Sequence, residues 1–194
     1  AVAVGNRVAS LTAFITNPSA DQNWTGWRVS NTSGGIGNNN SSHNGQNINY
    51  FTLGGSSSGR RTDSMTQTIS GLPAGTYVLT ALGRAATGAE LTMTVNGYSA
   101  IFPATGGTGG ELWENAEEDE QERMVNDGQG YGWSQRSITF VTDGSPFDIS
   151  AKVSTTDATQ WADIDAFTLT VNGVIDNVNA LQLKDVQLAA EAPS

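Results

Sequence analysis

The chain has 194 residues, a formal net charge of −10, nine Lys and Arg together, and no Cys. Phosphate-rich partners require clustered cations, so this balance argues against nucleic acid and anionic membrane surfaces. The missing thiols exclude disulfides, cysteine nucleophiles and cysteine-based metal sites. No apolar run reaches the roughly 18 residues of a membrane span, and residues 1–8 lack the basic end and apolar length of a signal peptide.

With 23 Gly and only 14% charged residues, the composition suits short strands joined by turns. Residues 11–15 read as the first strand. Residues 31–61 are polar and low in complexity, with Asn38-Asn39-Asn40 and Ser56-Ser57-Ser58, and read as surface loop apart from a short strand at 48–53. Residues 66–69 and 77–82 flank Gly71-Leu72-Pro73-Ala74-Gly75, a tight connection that predicts two adjacent strands.

Leu91-Thr92-Met93-Thr94-Val95 alternates with period two, as a half-buried strand requires. Asn96-Gly97 follows. A type I′ turn needs positive φ at both central positions, which this pair supplies, so 98–102 is the return strand of a hairpin. Residues 106–133 interrupt the pattern with Gly-rich and acidic sequence, and the run from Glu111 to Glu120 supports a helical turn or two.

Residues 137–141 and 147–153 flank Asp143-Gly144-Ser145-Pro146 and predict a second hairpin. Residues 165–171 form the closing strand. At least eight strands without alternating helices define an all-β, two-sheet antiparallel sandwich. The expected layout is a lead-in at 1–10, the sandwich at 11–173, and a tail or interdomain linker at 174–194.

Three stretches carry a family resemblance: Ile15-Thr16-Asn17-Pro18-Ser19 with Gly26-Trp27, the segment from Met65 to Tyr77, and Trp161-Ala162-Asp163-Ile164-Asp165-Ala166-Phe167-Thr168-Leu169. In order and spacing across about 11–171 they resemble the galactose-binding-like jelly-roll carbohydrate-binding modules of bacterial glycan-degrading proteins. The resemblance implies a jelly roll and an extracytoplasmic, non-catalytic module, secreted or at the cell surface, tethered as a monomer to a larger multidomain protein. Its partner would be a glycan polymer or oligosaccharide. It also implies a structural calcium. The family's carboxylate after Asn-Pro-Ser is a Glu behind an aromatic residue, whereas Ala20 and Asp21 follow here.

Sugar recognition needs flat aromatic faces for the apolar side of a pyranose and polar groups for its hydroxyls. Trp113 and Tyr131 lie in the long insertion and Trp24 in the loop after the first strand; with Glu114 and Arg84 they form the candidate ligand site. Trp27, Trp133 and Trp161 sit beside or within strands and read as packing residues. Asp165 with Asn17 and nearby carbonyls could supply calcium with oxygens; alternatively, Asp165 caps loop amides.

The run Glu117-Glu118-Asp119-Glu120 reads as a solvated face, since a glycosidase pair comes from separate strands across one cleft. The single histidine, His43, sits in polar loop sequence and offers no triad. Two rival functions stay open: a jelly-roll glycoside hydrolase or lyase, and a structural or adhesion spacer.

Overall fold

The computed structural model describes residues 9–30, 36–39, 48–55, 62–107, 109–119, 121, 132–171 and 187–188. The strands are β1 (Ala9–Ser10), β2 (Arg28–Ser30), β3 (Ile36–Asn39), β4 (Ile48–Gly54), β5 (Thr62–Ile69), β6 (Gly75–Ala85), β7 (Glu90–Val95), β8 (Tyr98–Phe102), β9 (Ser134–Thr142), β10 (Phe147–Ser154), β11 (Trp161–Val171) and β12 (Gln187–Leu188). A 3₁₀ turn spans Thr12–Phe14, and a single-turn helix α1 spans Glu111–Glu114.

They form two antiparallel sheets. In the larger, β9 pairs β6 and β6 pairs β11; the first half of β11 pairs β4, which pairs β3, while its second half pairs β1. The smaller has the order β2-β5-β10-β7-β8. Between them lies a core that includes Phe51, Met65, Leu79, Phe140, Ile149, Ile164 and Leu169, each at most 1% exposed. Alternation along each strand creates it: Leu91, Met93 and Val95 face inward while Thr92 and Thr94 face out. This is the all-β sandwich the pattern predicts.

Two expected hairpins are corrected. The strands flanking 71–75 lie in different sheets, β5 in the smaller and β6 in the larger, and the same holds for β9 and β10 across 143–146. Both connections are crossovers at one end of the sandwich, and the Phe140 and Phe147 rings, 5.2 Å apart, meet between the layers. Of the three expected hairpins, the one that joins paired strands is β7–β8 through Asn96-Gly97, with φ of 45° and 85° at its two central residues.

The first expected strand is also displaced: residues 12–14 turn in a 3₁₀ coil closed by Phe14 N–H to Leu11 O and Ile15 N–H to Thr12 O. Inside the expected tail, β12 pairs with β1. Inward polar side chains of β5 tie it to the 16–23 loop at one end and to β4 of the larger sheet at the other. Gln67 exchanges two bonds with the Thr16 backbone at 2.7 and 2.9 Å, and Asp63 Oδ2 accepts from Gly54 N–H at 3.0 Å.

Candidate functional site

Ala162 and Ile164 point into the core, so Trp161 and Asp163, between and beside them on β11, point to the opposite face of the larger sheet. The same alternation sends Arg84 of β6 and Tyr50 and Thr52 of β4 outward. Register then aligns Arg84, Asp163 and Thr52 in one row across three strands.

Within the row, Arg84 Nε donates to Asp163 Oδ2 at 2.7 Å, with the two side chains only 5% and 4% exposed. The guanidinium carbon lies 4.7 Å from the Trp133 ring centroid, 5.2 Å from Tyr50 and 5.4 Å from Trp161. Such distances fall within cation–π range. Burial pushes the Asp163 carboxyl above its usual range, while the Arg84 charge and hydrogen bonds from Arg84 and Thr52 oppose that shift. Tyr50 and Trp133 are buried; Trp161 is the ring that retains partial exposure.

The insertion is anchored beside this face. Its ends meet at a backbone contact possible only without side chains: a Cβ on Gly110, at φ 91°, would lie 2.5 Å from the Gly132 carbonyl carbon. Leu112 N–H then donates to Trp133 O at 3.1 Å, and Glu111 forks onto Arg136 at 2.8 and 3.0 Å. That bidentate pair holds the Glu111 carboxyl below the usual range, against a smaller effect of burial. Trp113 is partly exposed on this anchored turn, and Glu114 is exposed.

The expected site residues therefore separate. Arg84 lies at the center of the aromatic cluster, and Trp113 and Glu114 lie on the helix next to Trp133. Trp24 does not join them: its ring packs 5.1 Å from Phe51, on the core face of β4. Tyr131 lies outside the described residues, as do His43, Arg60 and Arg61. Tyr50, Trp133, Trp161 and Asp163 complete the cluster; Trp133, 1% exposed, packs as expected, while Trp161 keeps partial exposure. The available signals were an arginine inside an apolar strand and the Trp161-x-Asp163 spacing, which places both on one face.

The residues tested for calcium lie at the other half of β11. Its register shifts between Asp165 and Thr168, and Ala166 takes φ 52° at the irregularity. Phe167 N–H donates to Pro18 O at 3.1 Å, which joins this bulge to the 16–23 loop. Asp165 is 2% exposed, fitting a carboxylate ligand. The Asn17 amide is engaged locally, Nδ2 donating to Asn23 O at 2.7 Å and Oδ1 accepting Gln22 N–H at 3.0 Å, which leaves one lone pair of Oδ1. Trp27 Nε1 donates to Asn17 O at 3.0 Å, so Asn17 staples the loop. Among the described residues no three His, Cys, Asp or Glu side chains gather as a metal group.

Comparison with known proteins places the fold. A family 61 carbohydrate-binding module, solved with β-1,4-galactotriose, superposes with a TM-score of 0.59 at 20% identity, covering 82% of this chain and 98% of the module. The enzymatically active domain of bacteriophage CBA120 tailspike protein 4 gives 0.51 at 15% identity, over 83% of this chain and 21% of that one. A cyclase from Fischerella sp. TAU gives 0.50 at 12% identity, over 85% and 98%. No protein-family model and no curated protein matches the sequence. The chain thus has the jelly-roll sandwich found in carbohydrate-binding modules, a fold that enzymes share. Among the described residues no helix is long and apolar enough to cross a membrane.

Proposed function

We propose that this chain is a non-catalytic carbohydrate-binding module that works outside the cytoplasm as part of a larger glycan-active or surface protein. The observation that carries the reading is Trp161, a partly exposed indole backed by the Arg84 guanidinium on the outer face of the larger sheet. A pyranose can lay its C–H face on such a ring, and a buried ion pair underneath keeps the ring from moving. Trp113 and Glu114, on the neighbouring helix, would supply a second contact surface and a hydroxyl acceptor.

The commitment of Asp163 to Arg84 and Thr52 supports binding over hydrolysis, since a carboxylate held this way is a structural acceptor. The calcium part of the reading rests on Asp165 with main-chain oxygens of the 16–23 loop; the ion would cross-link the bulge to that loop. A glycan array with and without calcium tests the binding. Titration of the best ligand against Trp161→Ala should then lose at least about tenfold in affinity, the effect of one stacking contact of about 1.4 kcal/mol. Release of shorter oligosaccharides during incubation would replace this reading with the hydrolase or lyase.

A further inference from the structure

Resting on that reading, we infer that the site takes neutral glycans and excludes those carrying uronate or sulfate groups. Binding an anionic sugar needs a cation able to fork onto its carboxylate. The two described arginines at this end of the sandwich are already engaged by carboxylates: Arg84 by Asp163 at 2.7 Å, and Arg136 by Glu111 at 2.8 and 3.0 Å. Each pair is close to neutral overall.

Exposed carboxylates lie on the segments that adjoin these pairs. Glu117 and Glu118 follow α1, and Asp157 lies in the turn that precedes Trp161. That turn is held against the end of β4 by Gly55 N–H to Gln160 O at 2.9 Å, so the Asp157 charge belongs to the same end as the aromatic cluster. Asp157 accepts from Thr159 N–H and Oγ1 at 2.9 and 2.8 Å, which favours its ionized form and keeps its carboxyl below the usual range. A polyanion approaching Trp161 would meet the Asp157 charge of the adjoining turn, while Arg84 and Arg136 are already held by carboxylates, within a chain of net charge −10. A neutral chain pays no such repulsion, and its stacking and hydroxyl contacts are unaffected.

The sign of the salt dependence tests this. The intact chain is titrated with the neutral polysaccharide that binds best in a glycan survey, and with polygalacturonate and alginate as polyuronate probes, at ionic strengths of about 0.01 and 1 M, where charges are screened over about 30 and 3 Å. Neutral binding should change by less than about twofold, and polyuronate binding should be at least about tenfold weaker at low salt and recover as salt rises. The combined variant Glu117→Gln, Glu118→Gln, Asp157→Asn should gain polyuronate affinity at low salt. Polyuronate binding that is tight at low salt and lost at high salt overturns the inference while leaving sugar binding intact. Its further loss in Arg60→Gln with Arg61→Gln would trace the error to cations outside the described residues. If neither polymer class binds, the binding reading itself fails and the inference falls with it.

Discussion

Arg84 Nε and Asp163 Oδ2 lie 2.7 Å apart on adjacent strands of the larger sheet, and three aromatic rings close around the guanidinium. Desolvating two charges is costly, so such a pair adds little net stability over an apolar one, yet removing one partner strands the other. Arg84→Met and Asp163→Leu, each alone, should therefore destabilize by about 3 to 5 kcal/mol in urea unfolding, and the double variant by much less than the sum. Additive losses would show that the two side chains do not act as a unit.

Arg84→Lys should behave like a loss and not like a conservative change. An ammonium lacks the Nε–H donor and the planar face that sits 4.7 Å from the Trp133 ring. The expected result is a drop in the unfolding midpoint together with weaker glycan binding, because the support under Trp161 loosens. A lysine variant matching wild type in both would remove Arg84 as the positioning group.

The Glu111–Arg136 pair predicts a pH effect confined to the insertion. The folded carboxyl is held below its unfolded value, so its contribution is present above the unfolded pKa of about 4.3 and is lost as pH falls through the lower folded value. With side chains 45% and 29% exposed, the pair is worth at most about 1 kcal/mol. The protection factors of the Leu112 and Asn115 amides, corrected for the intrinsic exchange rate at each pH, should fall below that range while those of β7 and β10 stay high. Glu111→Gln should abolish the pH dependence.

How far the sequence speaks can be judged at particular residues. Period-two alternation and Asn96-Gly97 identify β7, β8 and β10 almost to the residue, because strand alternation and I′ turns are local physics. Gly71 to Gly75 and Asp143 to Pro146 signal a chain reversal equally well, yet a reversal does not say whether the next strand lies beside its predecessor or across the core. That choice depends on which sheet buries Phe140 and Phe147, a non-local matter. The same limit applies to the site. Trp113 and Arg84 stand out as residue types, whereas the meeting of Arg84 with Trp133 and Trp161, 49 and 77 positions away, is set only by the register of β6 with β9 and β11. Trp24 shows the converse: it lies in loop sequence but reaches Phe51 on the core face, apart from the Arg84 cluster.

Calcium is tested by linkage. An ion bound only by the folded chain stabilizes it by about 2.7 kcal/mol at a hundredfold excess over its dissociation constant, so the unfolding midpoint rises with ion concentration. Chelation should lower the melting temperature, and Asp165→Asn should remove the difference between chelated and calcium-loaded protein. Asn17→Ala should lower the midpoint even with chelator present, since its amide staples residues 22 and 23, and a larger loss with calcium present would mark Asn17 as a ligand as well. Equal midpoints with and without chelator would dismiss the ion.

Two tryptophans one hydrogen bond apart separate binding from folding. Leu112 N–H bonds to Trp133 O, so Trp113 and Trp133 sit on either side of one contact, but Trp133 is 1% exposed and Trp113 is partly open. Truncating a buried indole leaves a cavity its neighbours cannot fill, and Trp133→Ala should cost about 3 to 5 kcal/mol and strip Arg84 of its nearest ring. Trp113→Ala removes surface from a short, locally anchored helix, so its melting temperature should shift by only a few degrees. Its glycan affinity should nevertheless fall at least several-fold, since one stacking contact is worth about 0.5 to 1.5 kcal/mol beyond area burial. Calorimetric titration of both variants with the same oligosaccharide distinguishes the outcomes. Full affinity in a stable Trp113→Ala protein would confine the site to Trp161 and the outer face of the larger sheet.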